Sequence, residues 1–446
     1  MTKPTRARIG LALAGGGPLG AVYEIGALCA LEDALVGRRL ADCDSFVGVS
    51  AGGFIAAAMA NGLSPRDLWA SFIANDGDPE DIFEPDLMLR PAWAEFGQRL
   101  SSLPGLAGTA AWRLLSGAVS AAGALRMLGA ALPAGLLSNE GIHRRLSELF
   151  AQPGRSNDFR ALQRRLVLVA TDLDSGESMP FGLPGRDTVP ISRAVQASAA
   201  MPGLYPPVEI EGRHYVDGAL KKTLHASVLL DEGLDLLICL NPLVPFDAGA
   251  GNEQSPDGAK PQADPSRSRI RRPLTIPRLV KGGLPIVLAQ TLRTLIHSRL
   301  EIGMKSYGHS HPDTTILLFE PDHRDPALFL AGTFGYAQRV ALATHAYRRT
   351  LNTLARRRAE LDGLLGRHGL HLAPKVLDAA ERLDPATGRD PWDRGPAPEQ
   401  AAPLARLEHL HAVLDRLEAA LAERGAYADK GRLPGKTQSR AAVITT

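Results

Sequence analysis

Residues 45–60 read SFVGVSAGGFIAAAMA, and the fold turns on how this stretch is read. Ser45 to Val49 is a short apolar run with the composition of a buried strand, and an alanine-rich helix is expected to begin at Ala51. Between them lies Gly48-Val49-Ser50-Ala51-Gly52, a G-x-S-x-G in the strand–turn–helix setting of a nucleophile elbow. Small flanking residues let the chain turn sharply and present the serine Oγ at the C-terminal edge of a sheet. The positive end of the helix starting at Ala51 favours negative charge developing there. The same five residues also fit a plain tight turn, so their neighbours must decide.

Working outward, Arg8 to Ala14 (RIGLALA) is a nearly continuous apolar run stopped by glycines, the signature of a parallel strand buried on both faces. Residues Leu19 to Val36 follow with helical apolar spacing and a stop at Gly37. Leu166–Ala170 and Leu234–Leu240 are further buried strands, and Ile316–Phe319 is a weaker one. Strands alternating with helices predict an α/β domain with a three-layer α/β/α architecture and a mostly parallel central sheet.

The first strand runs into Gly15-Gly16-Gly17-Pro18-Leu19-Gly20. Consecutive glycines can aim backbone N–H groups at an anionic oxygen with no Cβ in the way. Both an oxyanion hole and a phosphate-binding loop need that arrangement. Glycines at 15, 17 and 20 satisfy the dinucleotide spacing, and Glu32 and Asp33 lie in range of a ribose, but inside the expected helix. No Gly-Lys-Ser/Thr follows, which excludes a Walker loop. A third element, Val216-Asp217-Gly218-Ala219, follows the helical and proline-rich stretch Ser192–Pro207. By itself an Asp-Gly is usually only a turn.

Bulk properties bound the functional classes open to these motifs. Of 446 residues, 45% are hydrophobic and 22% charged, ordinary globular values. A net charge of only +2 gives no electrostatic case for nucleic-acid binding. Cys29, Cys43 and Cys239 have no metal or redox spacing, and their odd, sparse count suits a reducing compartment. No cofactor or metal is expected, since no zinc or EF-hand pattern occurs. Lys3, Arg6 and Arg8 before Ile9–Ala14 superficially resemble a signal peptide, but the run is short and enters the glycine loop, so cleavage is not expected. No 18 uncharged apolar residues run together, which argues against a spanning helix. The expected location is cytoplasmic, with peripheral attachment at the inner membrane face an option.

Three elements in this order resemble the patatin-like phospholipase family, over about Ile9 to Leu240. Ala170-Thr171-Asp172-Leu173-Asp174-Ser175-Gly176 and Ala197-Ser198-Ala199-Ala200-Met201-Pro202 belong to the same resemblance. The resemblance implies a serine lipid acyl hydrolase with Ser50 as nucleophile, Asp217 as its dyad partner and Gly15–Gly20 as the oxyanion hole. Gly48, Val49, Ala51 and Gly52 form the elbow, and Gly218 and Ala219 complete the Asp-Gly-Ala motif. The implied substrate is a phospholipid or other acyl-ester lipid. An acyltransferase or thioesterase on the same dyad, or a catalytically weak lipid-binding scaffold, is the alternative. Leu19 stands where the family usually has Arg or Lys. In such a dyad Ser50 Oγ should lie roughly 2.5–3.5 Å from an Asp217 carboxylate oxygen. A hydrolase triad through His225, His297 or His345 also remains formally open, and His214 reads as a strand-edge side chain.

The remaining segments divide the chain into a catalytic domain at 1–345, a helical extension at 346–385, a linker at 386–403 and a C-terminal piece at 404–446. Within the first lie an apolar helical insertion at about 85–137 and a polar, turn-rich insertion at 246–270 expected to be disordered. Residues 100–137, with Trp93 and Trp112 nearby, fit either a lid touching a lipid interface or buried helices over the site. Arg271, Arg272, Arg278 and Lys281 precede an apolar helix near Leu284; they could meet anionic head groups or simply be solvated. Leucines at 407, 410, 414, 417 and 421 give helix 404–423 a heptad pattern that could pair copies of the chain or dock on its own domain.

Overall fold

The computed structural model describes residues 6–77, 80–82, 90–129, 132–247, 279–325, 329 and 338–382. Among the described residues there are ten strands: β1 (Ile9–Leu13), β2 (Leu35–Val36), β3 (Ser45–Gly48), β4 (Arg165–Asp172), β5 (Ser178–Phe181), β6 (Val208–Ile210), β7 (Arg213–Asp217), β8 (Leu236–Leu240), β9 (Thr315–Phe319) and β10 (His371–Leu372). Eight of them form one sheet in the order β6-β7-β4-β3-β1-β8-β9, with β5 added on β4, while β2 and β10 pair separately. The pairs β4–β3, β3–β1, β1–β8 and β8–β9 are parallel. The pairs made by β5, β6 and β7 are antiparallel.

Period-two alternation along the strands sorts side chains into two cores. Ile9, Leu11 and Leu13 of β1 join Phe46, Leu166, Leu168, Ile238 and Leu240 on one face. Ala12, Val47, Val167, Val169, Leu237 and Cys239 face the other way. Helices α1 (Gly17–Ala34), α2 (Ala51–Ala60), α3 (Pro65–Leu68), α6 (Glu140–Phe150) and α7 (Ile191–Ser198) contribute to the first core. Helices α8 (Ser227–Leu230) and α9 (Gly283–Ser310) cover the second through Leu229, Leu230 and Leu300. Burial on both faces is why β1, β3 and β8 read as unbroken apolar runs. The result is the expected three-layer α/β/α architecture with a mostly parallel central sheet.

Helix α1 is buried almost all round because α10 (Arg339–Arg356) packs on the side away from the sheet: Leu342, Ala343, Ala346, Leu351 and Leu354 lie in the same core as α1. Helix α10 runs straight through the division at 345/346 expected from sequence. Beyond it come α11 (Arg358–Gly366) and α12 (Pro374–Arg382). Helices α4 (Trp93–Leu115) and α5 (Ala121–Gly129) occupy the insertion expected at about 85–137. The turn-rich insertion falls largely outside the described residues, as do Arg271, Arg272, Arg278, the linker 386–403 and the heptad helix 404–423. No described helix is long and apolar enough to cross a membrane.

Candidate active site

β3 ends at Gly48 and the chain turns at once into α2, with Ser50 as its N-cap at φ 53°, ψ −122°. A positive φ is costly for a residue with a Cβ and persists only where surrounding structure enforces it. Two close approaches enforce it here. A Cβ on Gly48 would stand 2.5 Å from Gly52 O and Gly53 Cα, and one on Gly52 would stand 2.5 Å from Leu13 and Ala14 oxygens. The outer glycines of G-V-S-A-G therefore let α2 fold back on β3 and β1. The Ser50 N–H is held as well, donating to Ser198 Oγ at 2.9 Å, while Ser198 donates to Val169 O at 2.6 Å. Ser198 is fully buried.

Asp217 reaches Ser50 through sheet topology. Leu168 of β4 pairs with Gly48 on one side and Phe181 on the other. Two residues along, Ala170 pairs with Met179 and with Asp217. A residue can use each edge only once, so β5 keeps one edge of β4 while β7 takes over the other where β3 stops. The last residue of β7, Asp217, thus arrives two places past Gly48 in register, beside the elbow that carries Ser50. Further bonds pin it: Asp217 N–H donates to Ala200 O at 3.0 Å, and Thr171 Oγ1 donates to Asp217 O at 3.2 Å. Asp172, at the end of β4, accepts Asp174 and Ser175 N–H groups at 3.0 Å each and the Arg213 guanidinium at 3.0 Å, clamping β7 onto β4. The A-T-D-L-D-S-G and A-S-A-A-M-P runs are thus the supports of Ser50 and Asp217. Ser198 was quoted among them in the sequence without a role; burial and partner choice, invisible in one dimension, reveal it.

The Asp217 carboxylate is wholly buried. Its Oδ1 accepts the Ala219 N–H at 2.9 Å, while Oδ2 has no partner at hydrogen-bond distance. Burial pushes its pKa up to about 6, and the Ser50 hydroxyl and the Ala219 N–H draw it down less than burial raises it. The expected Ser50–Asp217 hydrogen bond is therefore not closed, although the hydroxyl is near enough to stabilise the charged carboxylate. Unliganded sites commonly hold such pairs slightly apart. Ser50 is itself only 6% exposed.

The glycine loop lies against Ser50 and against Ala219, two residues past Asp217. A Cβ on Gly15 would sit 3.0 Å from Ser50 Cβ and 3.1 Å from Ala219 Cβ. Helix α1 starts at Gly17, whose φ of 61° suits glycine. Gly20 N–H is committed to Gly16 O at 3.0 Å, and Pro18 has no N–H, so neither can donate to an oxyanion. Gly16, Gly17 and Leu19 precede the first intrahelical bond, and their N–H groups make none to another described residue. Leu19 is buried in the core, so a basic side chain there would need a different path to water.

The histidines stand elsewhere. His225 contacts Gly218 O through Nε2 at 3.3 Å, and burial lowers its pKa to about 4. His297 faces Glu301 and Glu320, and His345 bonds Asp325 at 2.5 Å. His214 lies exposed on β7. None hydrogen-bonds Ser50 or Asp217. All three cysteines are buried free thiols; burial pushes Cys29 and Cys43 up to about 12, which removes them as nucleophiles. Among the described residues no group of His, Cys, Asp and Glu could hold a metal ion.

One buried acid was missed in the sequence. Glu24 of α1 is fully buried, with neither carboxyl oxygen hydrogen-bonded. Burial raises its pKa well above the carboxylate range, against a smaller opposing effect of the Ala14 backbone. It lies one turn of α1 beyond Gly20, and the apolar spacing of that helix gave no sign of it.

A serine elbow and a buried carboxylate on adjoining strand ends are the parts that a serine ester hydrolase of the α/β/α class uses. Residues 11–230 match the model of the patatin-like phospholipase family, and this segment belongs to that family; the protein is accordingly a lipid hydrolase acting on carboxylic ester bonds. Among solved structures it is similar to VipD from Legionella pneumophila, at 14% identity over 87% of this chain and 82% of that one, with a TM-score of 0.30. It is also similar to the type III effector protein ExoU, at 14% identity over 94% of this chain and 66% of that one, with a TM-score of 0.29. Likeness this distant leaves the family match to define the class.

Proposed function

We propose that the protein hydrolyses acyl esters of lipids through a Ser50–Asp217 dyad. The observation that carries this reading is the hand-over on β4, which sets a buried carboxylate with an unpartnered oxygen beside a serine in an elbow. A carboxylate at its ordinary pKa of about 4 is a weak base toward a hydroxyl. Desolvation at Asp217 makes it more basic without a histidine. Ser50 Oγ attacks the ester carbonyl as its proton passes to Asp217 Oδ2, and the tetrahedral oxyanion is met by N–H groups of Gly16, Gly17 and Leu19. Asp217 then returns the proton to the departing alcohol, and water releases the acyl group by the same steps in reverse.

A fluorophosphonate probe tests the assignment directly. Wild-type protein should carry the label on Ser50, located by peptide mass spectrometry, and Ser50→Ala should take none while keeping its circular dichroism. Labelling at another serine, with ester turnover intact in Ser50→Ala, would falsify the dyad.

A further inference from the structure

Helix α4 is built inside out for a globular domain. Trp93, Leu100, Ala107, Ala111 and Leu114 recur at intervals of seven, seven, four and three residues, one apolar stripe of an α-helix. That stripe should face a core, yet all five residues are exposed, with Leu100 61% and Trp93 56% accessible. Leu115, at its edge, is 85% accessible, and Trp112, about 120° round the helix from Leu100 on the other flank from the charges, is 72% accessible. The charged residues Glu95, Arg99 and Arg113 lie roughly 100–140° round the helix from Leu100, at about 100° per residue. Within α4 only Ala110 is buried among the described side chains. Helix α5 packs beside α4 and adds Arg126 and no acid, so the hairpin carries three arginines against Glu95.

The base of the hairpin is fixed to the active site. Leu136 and Leu137 N–H groups donate to Gly203 O and Leu204 O at 3.3 and 2.8 Å, and Gly203 N–H donates to Ala134 O at 3.2 Å. Glu95 fastens the same junction by accepting Ala134 N–H at 2.9 Å. The segment 201–204 continues directly from Ala200, whose carbonyl holds the Asp217 N–H. The base of the hairpin is therefore tied to the chain segment that holds Asp217.

We infer that the α4–α5 hairpin is a docking element for an anionic lipid surface, seating the enzyme on its aggregated substrate. The inference rests on the lipid-hydrolase reading for its occupant, and three observations select that occupant. An apolar stripe that begins at an exposed tryptophan, with a second exposed tryptophan on its flank, suits the boundary between acyl chains and head groups. The excess of arginine complements anionic head groups. The anchorage at 201–204 ties the base of the stripe to the segment that holds Asp217. Exposed apolar surface of this extent is otherwise unfavourable on a protein in water.

The experiment is sedimentation of the full chain with phosphatidylcholine vesicles, with and without phosphatidylglycerol, comparing wild type with Leu100→Glu/Leu115→Glu. Both substituted side chains are exposed, so folding is preserved, and hydrolysis of soluble p-nitrophenyl butyrate should be unchanged. Partition onto phosphatidylglycerol vesicles should fall about tenfold or more in the double variant, because two acidic groups replace the inserting leucines. Vesicle-lipid hydrolysis should fall in parallel. Salt should weaken wild-type binding partially, removing the arginine contribution and leaving the apolar one. Running the same sedimentation on Ser50→Ala separates docking from catalysis: that variant should bind as wild type does, whatever becomes of the nucleophile assignment. Equal vesicle binding by wild type and double variant overturns the inference. So does a wild type that ignores both vesicle types, or a wild-type dimer that light scattering finds monomeric in the double variant, since the stripe would then have a protein partner.

Discussion

Asp217 should impose its own titration on the enzyme. As the proposed base of a dyad it must be ionised in the free enzyme, and burial pushes its pKa up to about 6. At pH 7 such a group is about nine-tenths ionised, and at pH 5 about one-tenth. The value of kcat/KM should therefore fall about tenfold between those two pH values, whereas an exposed aspartate near 3.8 would stay mostly ionised at both. His225, which contacts the neighbouring Gly218 carbonyl, titrates near 4 and leaves this window clear. Stability should move the opposite way. A carboxyl whose folded pKa is raised favours the folded state most below its unfolded pKa, and that advantage is lost as pH rises through about 6. The difference between 3.8 and about 6 corresponds to about 3 kcal/mol by pH 8. Asp217→Asn, which can still accept the Ala219 N–H, should thus be inactive yet more stable than wild type at pH 8, with the gain shrinking toward pH 4. Initial rates with p-nitrophenyl butyrate across pH 4.5–8.5, and chemical denaturation at pH 4 and 8, measure both halves. A kcat/KM that is flat from pH 5 to 7 would refute the reasoning, because the buried carboxylate could not then be the base.

Two further substitutions probe the supports of the site. Ser198→Ala strands the Ser50 N–H and the Val169 carbonyl in the interior, so it should cost about 1–3 kcal/mol in denaturation and lower kcat more than KM; an unchanged kcat would remove Ser198 from the positioning of the elbow. Glu24→Gln should change stability little near pH 4 and raise it progressively as pH climbs above about 4.5, because the unfolded carboxyl then ionises while burial keeps the folded one neutral; a stability difference between variant and wild type that is the same at pH 4 and pH 8 would show instead that Glu24 has found a partner.

Much of this molecule could be read from one dimension because its strands are buried on both faces and so stand out as apolar runs. Ile9–Leu13, Ser45–Gly48 and Leu236–Leu240 are there in the sequence almost to the residue, and G-V-S-A-G announces its elbow through the glycines that α2 requires. The antiparallel strands β5, β6 and β7 escaped, being short, part polar and separated by turns, and Asp217 looked like a turn residue when it is the end of a strand. What brings it to Ser50 is the change of partner along one edge of β4, a long-range pairing that no local pattern encodes. The same limit applies to Ser198, to Glu24 and to the outward stripe of α4. Sequence periodicity says that a helix has an apolar side and a buried environment says what that side touches; only tertiary structure decides between core and solvent, because burial is a property of neighbours distant in the chain.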